Sequence, residues 1–142
     1  MNPQPKEKDK KKLKKISEAM LWDMFSMFIR LRDADENGIC RCFTCGAFRH
    51  WKKIDCGHGV PRQYASTKYH EQNNHAQCKN CNGFEGGMRE IYKQKMNEKY
   101  GIHAWDFMVL RSREVCKRGP FERSVLYQYY KTQVEKLKKQ KQ

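Results

Sequence analysis

Four of the seven cysteines in this 142-residue chain fall into two C-x-x-C pairs, Cys42 and Cys45 in CFTCG and Cys78 and Cys81 in CKNCN, with 32 residues between them. Each pair forms a knuckle that points two thiolates at one ion. Four such thiolates select tetrahedral Zn²⁺ at about 2.3 Å from each sulfur. A zinc saturated by protein sulfur has no open position for substrate, so its task is structural. With a binding free energy of about 10 kcal/mol it stands in for hydrophobic core. Gly46, directly after the first pair, suits the tight turn of a knuckle. Cys40 lies close to the first pair, but CRC lacks the two-residue spacer and the thiol reads as a bystander. Cys56 and Cys116 have no partner spacing and read as free thiols in or near a core.

The remaining polar residues crowd around this frame. DCGHGVPRQY lies between the knuckles, and NNHAQCKNCNG (73–83) brings Asn73 just before the second one and Asn82 just after Cys81. The order histidine, asparagine, asparagine on one zinc frame resembles the HNH, or His-Me finger, endonucleases. In those enzymes a histidine-bearing hairpin and a helix after the second knuckle enclose a catalytic divalent ion. FIRLRD, CFTCG, CGH, NNHAQCKNCN, then GG and Tyr92 in GGMREIY, with Gly101 beyond, resemble the NinG/Rap recombination endonucleases of lambdoid phages in the same order and nearly the same spacing. The likeness runs from about residue 24 to residue 101. It implies a zinc-stabilised nuclease acting on branched recombination intermediates such as displacement loops and Holliday junctions, with phage or host recombination proteins as partners.

The resemblance assigns roles residue by residue. Phosphodiester hydrolysis needs a deprotonated water in line with the leaving oxygen, and positive charge where negative charge gathers. His58 is then the general base, a role worth about 10² to 10⁴ in rate. Asn73 braces the histidine-bearing hairpin. Asn82 supplies a ligand to the catalytic ion, or else serves as a helix cap. Many HNH enzymes carry aspartate directly before the catalytic histidine, where this chain has Gly57, a glycine that NinG-like proteins share. The second ligand is therefore open between Asp55, which faces His58 only if the chain bends at Cys56–Gly57, and His75. Mg²⁺ suits a site of few oxygen ligands, and histidine participation makes Mn²⁺ more acceptable. Met88 departs from the asparagine that family members often carry after the paired glycines. Arg62, Lys68 and Arg89 are the candidate phosphate contacts near the cut.

These residues need elements to hold them. Leu13, Ile16, Met20, Met24, Met27 and Leu31 recur at steps of three or four, with Leu21, Phe25 and Phe28 beside them, which predicts an amphipathic helix over 13–35 that stops at DADENG. Residues 1–12 read as a basic, disordered tail. The segment 36–101 is the zinc-stabilised nuclease core, ending in a helix with apolar positions at Met88, Ile91, Tyr92 and Met96 and a stop at Gly101. Residues 102–142 supply a short helix in HAWDFMVLRSRE, then a last one opened by Pro120 and carrying Leu126, Tyr130, Val134 and Leu137 into a basic end. The expected fold is α+β and mostly helical: a zinc-centred ββα core of the His-Me finger or treble-clef type, flanked by long N- and C-terminal helices.

Composition limits the partners. Thirty Lys and Arg against sixteen Asp and Glu give a net charge of +14, which opposes compaction unless a polyanion answers it. DNA is the expected partner, gripped through phosphates by the lysine-rich ends and selected by branch shape. Trp51, Tyr64 and Tyr69 are candidates to stack on unpaired bases, against the alternative of packing round the zinc core. No apolar run is long enough to span a membrane and the start lacks a secretion signal, so a cytoplasmic protein with reduced thiols is expected. The apolar faces of the first and last helices suit a homodimer interface, or else pack on each other within one chain. A catalytically silent zinc module that binds branched DNA or RNA is the rival function.

Overall fold

The computed structural model describes residues 15–141; the lysine-rich start, with the tail expected over 1–12, and Leu13 lie outside the described residues. Helix α1 (Glu18–Asp33) opens on Ser17, whose hydroxyl accepts from the Met20 amide at 3.1 Å, and carries Arg30 and Arg32 in its last turn, where the helix dipole favours cations. It stops at Ala34. There the Asp35 carboxylate accepts from the amides of Asn37 and Ile39, and Gly38 takes φ 79°, building the turn expected at DADENG.

The buried stripe of α1 is Leu21, Phe25, Phe28, Ile29 and Leu31, while Met20, Met24 and Met27 are half-buried at its flank. The periodicity is as expected, but the aromatic side of the stripe faces the core. The reason is the last helix, α5. It spans Pro120–Gln140 with Pro120 in its first turn, and its Tyr130 packs at 5.0 Å from Phe25 and 4.9 Å from Phe28. The two helices run in the same direction. Arg123 near the start of α5 donates to the Ile16 carbonyl, and Lys141 just past its end donates to the Leu31 carbonyl. Apolar faces of the first and last helices thus pack on each other within one chain.

Two small antiparallel sheets hang on this pair. Strands β1 (Ile39–Arg41) and β2 (Phe48–His50) pair in register Cys40↔Arg49 and carry the first knuckle between them. Its turn is tight: the Cys42 amide donates to Ala47, the Gly46 amide donates to Cys42, and Gly46 has φ 80°. Strands β3 (Asp55–His58) and β4 (Asn74–Gln77) pair in register Gly57↔His75 and His58↔Asn74. Between them the chain makes an excursion that includes the short helix α2 (Ala65–Lys68).

After β4 the second knuckle runs into a single π-type turn, Asn80–Phe84. The helix expected over Met88 to Gly101 lies beyond that turn. The long helix α3 (Arg89–Tyr100) begins only after Gly86, Gly87 and Met88, all with positive φ. Gly101 ends α3 as expected, and α4 (Ala104–Ser112) follows. A second apolar cluster of Val60, Tyr92, Met96 and Met108 joins α3 and α4 to the β3 end. Among the described residues no helix is long and apolar enough to cross a membrane.

Candidate functional site

The sulfurs of Cys42, Cys45, Cys78 and Cys81 all lie within 4.8 Å of one another. Tetrahedral zinc with four thiolates sets its sulfurs roughly 3.8 Å apart, and Cys45 and Cys78 stand at 3.7 Å. Burial pushes the Cys42 thiol up, but amides of Cys45 and Cys78 donate to it and bring it down to about 6. Burial and neighbouring thiols push Cys81 up to about 12. Four thiolates this close need a divalent cation to coexist, so the donor set fits zinc. Cys40 is outside the cluster and donates to the Arg30 carbonyl. Cys56 is buried at 7 % exposure, as a free thiol in a core should be.

Beside β3 opens a cleft of about 350 Å³ whose lining includes His58, Asp55 and Asn82. His58 comes from the end of β3 and Asn82 from the turn behind the second knuckle. Asp55, three residues before His58, lines the same cleft. Asn82 Nδ2 donates to Asp55 Oδ2 at 3.1 Å, and Lys79 Nζ lies 2.8 Å from Asp55 Oδ1. Asn82 therefore makes a hydrogen bond across the cleft rather than capping α3, which has no side-chain cap.

Asn73 is fully buried. It accepts from the Val60 amide at 2.8 Å and donates to the carbonyls of Val60 and Thr67, tying both ends of the excursion that follows His58. His75 is corrected. It sits opposite Gly57, stacked on Phe43 at 3.8 Å, and both ring nitrogens are taken, by the hydroxyls of Tyr92 and Tyr100. Burial drives its pKa down to about 2. It is a neutral brace between the first knuckle and α3 and is not among the residues that line the cleft.

Gly57 has its own steric reason. A Cβ there would overlap the Gln77 Oε1 and lie 2.8 Å from the Gln77 Cβ. Gln77, fully buried, uses that space to donate to Thr44 Oγ1 and the Gly87 carbonyl, linking β4 to the first knuckle and to the paired glycines.

His58 is half-buried, and burial, then the charges of Arg62 and Arg89, lower its pKa to about 4. Its imidazole is thus neutral at pH 7 and free to accept a proton. Of the three candidate phosphate contacts, Arg62 lines the cleft with its guanidinium 4.5 Å from the Trp22 ring centre. Arg89 acts on His58 from beyond the lining. Lys68 is not among the residues that line the cleft; its ammonium lies 3.1 Å from Glu18 and 5.8 Å from the centre of the Trp22 ring. Of the aromatic candidates, Trp51 and Tyr69 are buried core residues, because each packs under α1 or its charged side chains; Tyr64 is 41 % exposed.

Trp22, Ser26, Arg30, Lys52 and Lys79 also line the cleft, and sequence reading missed them. A signal existed for three: residues 22, 26 and 30 are spaced at four and share one face of α1. Arg30 is held by the Trp51 carbonyl at 2.9 Å and by Ser26. Two residues on, Arg32 donates to the carbonyls of Glu71 and Asn74, and Asp33 accepts from the Ala76 amide. FIRLRD therefore both reaches the cleft and fastens β4.

Compared with models of protein families, residues 2–141 match the one described as Bacteriophage Lambda NinG protein. No curated protein and no solved structure gives a match.

Proposed function

Since the chain belongs, over nearly its whole length, to the family of the bacteriophage lambda NinG protein, we propose that it is a metal-dependent endonuclease that hydrolyses phosphodiester bonds in branched recombination intermediates, displacement loops and Holliday junctions among them. The observation that carries this is the convergence of a neutral histidine, a carboxylate and a carboxamide in one cleft ringed by cations: His58, Asp55 and Asn82 with Arg30, Lys52, Arg62 and Lys79.

His58 takes the proton of the attacking water. A phosphate in the cleft offsets the charge of Arg62 and Arg89, the cations that depress its pKa, so the imidazole becomes more basic when substrate is bound. Asn73 fixes the backbone behind His58. Arg30, anchored at the Trp51 carbonyl and Ser26, offers fixed positive charge to the phosphate oxygens. Asp55 and the Asn82 carboxamide oxygen are hard donors suited to Mg²⁺ or Mn²⁺, which supplies charge neutralisation at the phosphate when bound. Lys79 would give up Asp55 for a phosphate at that point.

One observation favours a different class. Both Asp55 oxygens have partners within the chain, Lys79 and Asn82, as in a site that binds phosphates without cutting. On that reading the protein is a non-catalytic zinc-dependent module for branched DNA or RNA. Labelled duplex, flap, displacement-loop and four-way substrates incubated with Mg²⁺ or Mn²⁺ separate the two. The endonuclease reading expects cutting of branched substrates by the parent and a loss of at least about 10²-fold in His58→Ala with binding retained. Binding without cutting by the parent selects the silent module.

A further inference from the structure

Trp22, on the wall of the cleft contributed by α1, has flat neighbours from elsewhere in the chain. Tyr69 lies 6.2 Å from Trp22, and the Arg62 guanidinium lies over the Trp22 ring at 4.5 Å. Tyr69 is fixed in turn: its hydroxyl donates to Glu18 at 2.7 Å and its ring meets Phe25 edge-on. A guanidinium lying over an indole is attracted by the ring and loses much of its rotational freedom. Arg62 is an exposed residue, so its guanidinium is accessible to a second, flat partner besides Trp22. Arg30 and Lys79 already offer charge to phosphate in the same cleft, so Arg62 is not needed there as one more point charge.

We propose that Arg62, braced on Trp22, is a stacking site for one unpaired nucleobase beside His58. The site rests on the nuclease reading and narrows its substrate: the base belongs to the strand whose phosphate lies in the cleft. Inside a duplex both faces of a base are covered by its neighbours, and only an unstacked base, in a single strand or at a branch point, can present a face to Arg62. Selection for branched DNA then comes partly from this contact, with no base sequence being read, because every base has a flat face.

The test is a binding measurement with cleavage silenced by His58→Ala. Two fluorescent single-stranded probes are titrated, a short oligothymidylate and the same backbone built of abasic sites. Stacking expects the base-bearing probe to bind about 5- to 150-fold tighter, the range of one stacked base. Arg62→Lys, which keeps the charge and loses the plane, is expected to erase most of that preference while binding the abasic probe as before. Trp22→Leu, checked for folding by circular dichroism, is expected to do the same. Equal affinity of the unsubstituted Arg62 protein for the two probes overturns the proposal, as does an undiminished preference in Arg62→Lys. If the preference holds while the parent cuts no DNA with Mg²⁺ or Mn²⁺, the stacking site stands and the nuclease reading falls.

Discussion

In the proposed hydrolysis His58 is the general base, and its surroundings lower its basicity in the free protein. Burial and two guanidinium groups all disfavour the imidazolium, giving a pKa of about 4 against an ordinary value near 6.5. The acid limb of kcat/KM, which reports the free enzyme, is therefore expected below pH 6.5. Arg89→Gln removes one depressing cation without touching the cleft lining, so the limb should move upward toward 6.5; a pH profile that stays in place would show that Arg89 does not act on His58. The sign for stability follows from the same shift. Between pH 6.5 and 4 the unfolded chain binds the proton that the folded one refuses, so the His58 contribution weakens the fold as pH falls through that window. Gly57 shows how a residue absent from a motif can have a local cause: Gln77 occupies the space where a side chain would stand, and Asp55 reaches the cleft from two positions earlier.

At the scale of elements, the link from the second knuckle to α3 concentrates backbone strain at position 88. Met88 has φ 52° and ψ 51°, a left-handed conformation that costs a residue other than glycine or asparagine roughly 1–2 kcal/mol. Asparagine tolerates that conformation better than methionine does. Met88 is kept in place by packing against the cysteine cluster. Met88→Asn is expected to raise stability by about 1 kcal/mol less the packing it gives up, read as a higher urea midpoint with unchanged slope; a clear fall would show that packing on the sulfurs outweighs the backbone strain. The zinc frame and the α1–α5 pair are separate sources of stability, one made of four sulfurs and the other of an aromatic cluster around Tyr130. Stripping zinc with a strong chelator should collapse the cleft and abolish DNA cutting, while far-ultraviolet circular dichroism keeps most of its helical signal. Complete loss of that signal in one transition would mean that the pair cannot stand without the metal.

Across the whole molecule, charge and connectivity decide what is bound and where. If the partner is DNA, as proposed, a surplus of +14 makes phosphate contact the main source of affinity, and such affinity falls steeply with salt. Deleting residues 1–12 should weaken binding equally for every DNA tested and flatten the slope of log K against log salt, by about 0.9 for each duplex phosphate that the protein ceases to neutralise. An unchanged slope would exclude the lysine-rich start from the interface. The ratio of branched to duplex affinity should survive the deletion, because branch selection is assigned to the cleft. α1 is central to this arrangement: one face packs on α5, another turns Trp22, Ser26 and Arg30 into the cleft, and its end fastens β4 through Arg32 and Asp33.

The sequence by itself determined the parts that depend on short-range spacing. Two C-x-x-C pairs name the four sulfurs that could hold a metal ion, apolar steps of three and four name the helices, and Gly101 and Pro120 mark helix ends. Only the tertiary structure decided which polar side chains meet. His75 and Asn82 were both ligand candidates, yet strand register turns His75 to Tyr92 and Tyr100, while the turn behind the second knuckle carries Asn82 to Asp55. The cations Arg30, Lys52 and Lys79 come from segments far apart along the chain, and the methionine side of α1 yielded the core to its aromatic side because Tyr130 arrives from the opposite end of the chain. Local periodicity fixes which way a side chain leaves its own element. What it meets there depends on packing between elements, which a single sequence does not spell out.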